Sequence, residues 1–196
     1  MISGPDFTGQ DCKLSKNQPM RPILSFLIVS LFIQVQANAR VITDSIPAEP
    51  KDVESQDAII AALYSVISGP AGQTRNWDRM RTLFLPEAKL VATGKKPDGM
   101  MGKRVMTLED YIKIAGPSLE KDGFFENEIS RKTDQYGSVV QIFSTYESRR
   151  TLNDEKPFMR GINSIQLWFD GKRWWILTVF WQGETTDNPI PKAYLN

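Results

Sequence analysis

Between residues 55 and 68 the apolar positions fall on one helical stripe: Ala58, Ile59, Ala62, Leu63, Val66 and Ile67 recur at three- and four-residue steps. That spacing gives a helix one buried face. Ser55 is placed to cap its first turn, and Gly69-Pro70 stops it. A second helix follows Asn76, with Trp77, Met80 and Phe84 at i, i+3 and i+7 and Pro86 as its end. Residues 88–93 read as a short strand and 95–104 as a Gly- and Lys-rich loop. Thr107-Leu108-Glu109-Asp110 resembles a capping box and opens a third helix through Tyr111, Ile112 and Ala115. Gly116-Pro117 predicts a break or kink before Lys121.

After Gly123 the period shortens to two. Residues 124–133, 138–150, 161–169 and 173–182 read as strands, with a turn at Gln135-Tyr136-Gly137 and a polar loop over 152–158. Asp170-Gly171 between two apolar runs is a strong hairpin signal. On the last strand, strict alternation puts Trp175, Leu177, Val179 and Trp181 on one face and Trp174, Ile176, Thr178 and Phe180 on the other. Both faces are apolar, so the strand is expected to be covered by helices inside and by the tail or a second subunit outside. Helices followed by a long antiparallel sheet predict an α+β domain over 55–196, its helices on one sheet face.

Upstream of this domain the pattern changes character. A positive Arg21 precedes an uncharged apolar run over 23–35, and Ala37-Asn38-Ala39 follows it. That order matches a secretory signal, with cleavage expected after Ala39. The run is short for a membrane span, which needs about 20 residues. Residues 1–39 are therefore read as an N-terminal extension plus signal peptide, with initiation at Met1 or Met20 left open, and 40–54 as a spacer. Membrane contact is expected only through the signal segment, and the destination is periplasmic or secreted.

Charge and composition narrow the chemistry. The chain has 24 Lys+Arg against 23 Asp+Glu, a net charge of +1, which lacks the basic footprint of a nucleic-acid binder. With no histidine, His-based triads, His metal sites and imidazole acid–base work are excluded. The one cysteine, Cys12, lies before the signal run and excludes an internal disulfide framework. No phosphate-loop or calcium-loop spacing occurs, so neither a metal nor a cofactor is expected.

Several local strings bear a family likeness: Asn76-Trp77-Asp78-Arg79-Met80-Arg81 with Leu83-Phe84, Gly123-Phe124-Phe125-Glu126, and Phe143-Ser144-Thr145-Tyr146-Glu147-Ser148-Arg149. They continue with Arg160-Gly161-Ile162-Asn163-Ser164-Ile165-Gln166-Leu167, Asp170-Gly171 and Arg173-Trp174-Trp175-Ile176. In this order of elements the chain resembles the nuclear transport factor two-like, or SnoaL-like, superfamily over 55–195, and within it an exported bacterial subgroup without an assigned reaction. The resemblance implies a cone-shaped, curved antiparallel sheet wrapped around three N-terminal helices, a cystatin-like α+β barrel with an apolar pocket. That scaffold hosts isomerases, dehydratases, cyclases and plain binding modules, so it does not decide function.

Enzymes of the superfamily commonly use an Asp with a Tyr or His, and this chain has no His to offer. Its catalytic candidates are Glu126 and Glu128, which share a strand face, with Tyr146 as a donor; Glu147 falls on the opposite face of its own strand from Tyr146. Ser144 lacks an activating base and a nucleophile elbow, and is read as a small residue leaving room for a ligand. The candidate ligand-binding set is Tyr64, Trp77, Tyr111, Ser144, Tyr146, Asn163 and Trp181. Asn163 and Gln166 lie on opposite faces, so only one can reach a pocket. The leading expectation is an exported domain binding a small apolar or ring-bearing molecule, paired as a homodimer through its sheet. The alternatives are a carboxylate-based isomerase or lyase, and an accessory or assembly module that docks through its sheet.

Overall fold

The structure, a computed structural model, describes residues 46–195. The predicted signal segment and residues 40–45 of the spacer lie outside them. Four helices, α1 (Pro50–Val53), α2 (Gln56–Ile67), α3 (Trp77–Leu83) and α4 (Leu108–Asp122), accompany six strands. The strands are β1 (Phe84–Lys95), β2 (Met101–Met106), β3 (Phe125–Tyr136), β4 (Val139–Arg149), β5 (Met159–Phe169) and β6 (Trp174–Gly183). A 3-10 turn, Lys192–Tyr194, lies near the end.

The class is α+β, as expected, with one curved sheet in the order β2-β1-β6-β5-β4-β3. Two features depart from the expectation. The sheet is mixed, because β1 runs parallel to β6 while every other pair is antiparallel. It is also not a closed barrel: β2 and β3 are its free edges. Alternation along a strand tells which face is apolar but not which neighbour it takes, so neither feature was visible in the pattern.

The helices form where they were expected, with adjustments that packing explains. Ser55 caps α2 by accepting from the Ala58 N–H, and Asn76 caps α3 by accepting from the Arg79 N–H. Thr107 and Asp110 make a full capping box on α4. The expected break at Gly116-Pro117 does not occur; α4 continues to Asp122. Gly116 lies against Trp77, where an added Cβ would come within 3.1 Å of the indole. Beyond it, Glu120 accepts from Trp77 Nε1 at 2.9 Å and from the Arg75 N–H at 3.0 Å. Those tertiary bonds hold the second half of the helix in place despite the proline. The expected spacer also ends early, since Pro50–Val53 is helical and Asp52 there receives Arg79 Nε at 2.7 Å. The helices are thus four, and the stretch expected as a loop over 95–104 pairs as β2 with β1, so α4 enters after two strands instead of one.

The core lies between the sheet and α2, whose Ile59, Ile60, Leu63, Tyr64, Val66 and Ile67 are buried against Val140, Ile142, Ile165, Leu167 and Ile176. On the opposite face the tail covers part of β4: Tyr194 stacks on Phe143 at 5.7 Å, and its carbonyl accepts from Thr145 Oγ1 at 2.6 Å. Phe180 and Trp168 remain exposed there at 45% and 38%.

Irregularities in the ladder decide which residues face inward. Ile129 is an extra residue in β3, because Glu128 pairs with Tyr146 and Ser130 with Thr145. Leu177 is extra in β6, because Ile176 pairs with Leu167 and Thr178 with Gln166. One inserted residue exchanges the faces on its far side. The predicted facing of β6 is accordingly corrected: Trp174, Ile176 and Val179 are buried, and Trp181 joins them inside.

Arg75 ties the loop after α2 to α4. It is 5% exposed and donates to five backbone carbonyls: Ile67 from Nε, Pro70 and Gln73 from Nη1, and Gly69 and Leu119 from Nη2. Arg75→Met should leave those carbonyls without donors in a place water cannot easily reach, at a loss of about 3 kcal/mol or more. Urea unfolding measures it; a loss below about 1 kcal/mol would mean the loop finds other partners.

Candidate functional site

Three helices and five strands converge on a hollow of about 210 Å³ beneath the sheet. α2 contributes Leu63, Tyr64 and Ile67; α3 contributes Met80; α4 contributes Tyr111 and Leu119. The strands contribute Leu90, Glu126, Tyr146, Met159, Asn163, Val179 and Trp181, with Phe124 just ahead of β3. Met159, at 37%, is the most exposed of these side chains and marks the mouth. Tyr111 and Trp181 meet edge to face at 6.2 Å. Gly161 makes room for Tyr146 across the β4–β5 pair: a Cβ there would stand 2.5 Å from the Tyr146 hydroxyl and would also strike the Gln182 carbonyl.

Glu126 is the charged residue of this lining, and it is 9% exposed. Ser148 Oγ donates to its Oε2 at 2.9 Å, and the Asn163 side chain also hydrogen-bonds it. Burial disfavours the ionised form and raises its pKa from the ordinary 4.5 to about 7, with those two hydrogen bonds pulling the other way. The same burial, reinforced by the Glu126 charge, pushes the hydroxyls of Tyr64, Tyr111 and Tyr146 above the ordinary tyrosine range.

A line of hydrogen bonds leads outward from this carboxylate. Asn163 Nδ2 donates to Tyr64 Oη at 3.0 Å, and Tyr64 and Ser144 hydroxyls lie 2.6 Å apart. Ser144 Oγ donates its one hydrogen to Glu128 Oε1 at 2.6 Å, so Tyr64 must be the donor to Ser144. Glu128 is gripped at both oxygens by Arg131, which also pairs with Asp57. Residues three apart on a regular strand point opposite ways; the Ile129 bulge brings Glu128 and Arg131 to one face. Glu128, Arg131, Ser65 and Ser68 line a more open groove of about 390 Å³ between α2 and β3. Tyr64 and Glu126 border both spaces and form the wall between them.

The candidates named from the sequence divide accordingly. Tyr64, Tyr111, Tyr146, Asn163, Trp181 and Glu126 come together at the hollow. Ser144 stands behind Tyr64 and reaches the hollow only through it. Trp77 does not line it; its indole is held between Gly116 and Glu120. Glu128 faces the groove, and Glu147 pairs with Arg149 away from the hollow. Ser148 was overlooked, although its two-residue spacing from Tyr146 puts it on the inner face by strand period alone. Arg131 was hidden by the bulge. Among the described residues no three Asp, Glu, His or Cys side chains group as a metal site.

No family model matches the chain, and no curated protein matches it. Among solved structures it is similar to a cystatin-like protein of unknown function from Nostoc punctiforme, at 10% identity and TM-score 0.49 over 72% of this chain and 97% of that one. It is also similar to an NTF2-like protein of unknown function from Shewanella baltica, at 13% identity and TM-score 0.40 over 66% and 94%. The CaMKII hub of S. rosetta is similar at 15% identity and TM-score 0.43, over 71% of this chain and 100% of the hub.

The raised Glu126 makes stability depend on pH in a stated direction. Its folded value exceeds its unfolded one, so the folded chain binds more protons and loses stability as pH rises from 4.5 to about 7. The loss should approach roughly 3 kcal/mol above that window. With no histidine in the chain, no imidazole contributes to that window. Glu126→Gln should flatten the dependence and be the more stable protein at pH 8. Urea unfolding of both proteins at pH 5 and pH 8 checks this, and parallel behaviour of the two would contradict it.

Proposed function

We propose that this protein is a small-molecule-binding domain that encloses an apolar or ring-bearing ligand in the hollow beneath its sheet. The observation that carries the proposal is the hollow itself: about 210 Å³, walled mainly by Leu, Ile, Val, Met and aromatic side chains, with one buried carboxylate and one amide. Ligand sites are characteristically of this make-up, mostly apolar with a few placed polar groups. In the test, benzyl alcohol should shift the methyl resonances of Leu63, Leu90 and Val179 in wild type. Val179→Phe should fill the space, keep the fold and abolish the shifts. Unmoved resonances in wild type at millimolar alcohol would overturn the proposal.

A second reading draws on Glu126 alone. A buried carboxylate with a pKa of about 7 is suited to take a proton from a carbon beside a carbonyl, the first step of an isomerase or lyase. What favours it less is the arrangement around the carboxylate: its partners are Ser148 and Asn163, and Tyr64 is reached only through the amide. On this reading, wild type should exchange the α-hydrogens of a small cyclic ketone for deuterium, and Glu126→Gln should not. Equal exchange by the two proteins would remove the reading.

A further inference from the structure

The hollow has one sign of charge and nothing to balance it. Its lining holds one acid, Glu126, and neither Lys nor Arg. Two cations of β3 and β4 are engaged elsewhere: Arg131 with Glu128 and Asp57 at the groove, and Arg149 with Glu147. Among the described residues Glu126 is held by neutral donors, Ser148 and Asn163, with no countercharge. A carboxylate has about four acceptor positions, so two hydrogen bonds leave it able to take another donor.

The rest of the wall is rich in rings. Tyr64, Tyr111, Phe124, Tyr146 and Trp181 all border the space. Aromatic surfaces attract cations, Trp and Tyr most strongly, and the attraction grows when water is excluded. An engineered cavity of about 150 Å³ lined by apolar side chains accepts benzene. At about 210 Å³ this hollow has space for one ring and a short substituent.

We propose that the ligand is a small hydrophobic cation, a primary ammonium on one ring or a short apolar chain, with its charge on Glu126 and its body among Tyr111, Tyr146 and Trp181. The proposal deepens the binding role above and rests on it. An ammonium supplies the countercharge that the protein leaves out, and its hydrogens meet the free lone pairs of the carboxylate. An anion would sit against Glu126 without any cation to offset it. A neutral ring would fill the space but leave the carboxylate as poorly solvated as before, which is the condition reflected in its raised pKa.

Three near-isosteric compounds decide the matter: benzylamine, benzyl alcohol and benzoate, titrated at pH 7.5 against wild type and Glu126→Gln by calorimetry and methyl NMR. Benzylamine should bind wild type roughly tenfold or more tightly than benzyl alcohol, the gain expected of a charged hydrogen bond out of water. Benzoate should not bind. In Glu126→Gln the preference for the amine over benzyl alcohol should vanish. Benzyl alcohol or benzoate binding wild type as well as benzylamine would overturn the cation proposal and leave the binding role standing. An amine preference that survives in Glu126→Gln would also overturn it. No binding of any of the three to wild type would overturn both.

Discussion

Taking a carboxylate out of water with no cation beside it is the constraint around which this molecule is arranged. An isolated buried charge is costly, and the usual outcomes are a partner, a metal or a shifted pKa. Glu126 has the third, tempered by two neutral donors. Among the described residues no buried side-chain nitrogen or oxygen lacks a hydrogen-bond partner. The acid is solvated just enough to be tolerated and too little to be comfortable as an anion.

The surroundings keep it that way. Asn163, Tyr64 and Ser144 carry hydrogen bonds from Glu126 outward to Glu128, where the positive charge of Arg131 is spent on the outer carboxylates. The Ile129 bulge is what turns Arg131 toward Glu128. Gly161 leaves room for the hydroxyl end of Tyr146 beside β5, and the Leu177 bulge turns Val179 and Trp181 under the sheet. Two single-residue insertions and one missing side chain thus separate a polar outer groove from an aromatic inner hollow. Function, on this account, follows from that separation of charge.

Much of the architecture could be read from the chain because it depends on period and punctuation. The stripe Ile59, Leu63, Val66 and Ile67, the caps at Ser55 and Asn76, and the Asp170-Gly171 turn are local signals with local causes. Tyr64, Asn163 and Glu126 were recognisable as inward candidates because strand parity and helix faces narrow the choice. What period cannot show is where it slips. Nothing in Glu128-Ile129-Ser130 or Ile176-Leu177-Thr178 announces an extra residue, so Arg131 was missed and the β6 faces were exchanged. Trp77 was misplaced for a related reason: an aromatic at an apolar helix position is core or site according to its neighbour, and here the neighbour is Gly116. The continuation of α4 past Pro117 likewise depends on Arg75 and Trp77 reaching Glu120, contacts more than forty residues apart in sequence.

The central claim is tested most directly by following the side-chain carboxyl carbon of Glu126 by carbon-13 NMR as the ligand-free protein is titrated. The account predicts a midpoint near 7. A midpoint at the ordinary 4.5 would mean that water or a cation reaches this group, and the account of an uncompensated acid in an aromatic hollow would be contradicted.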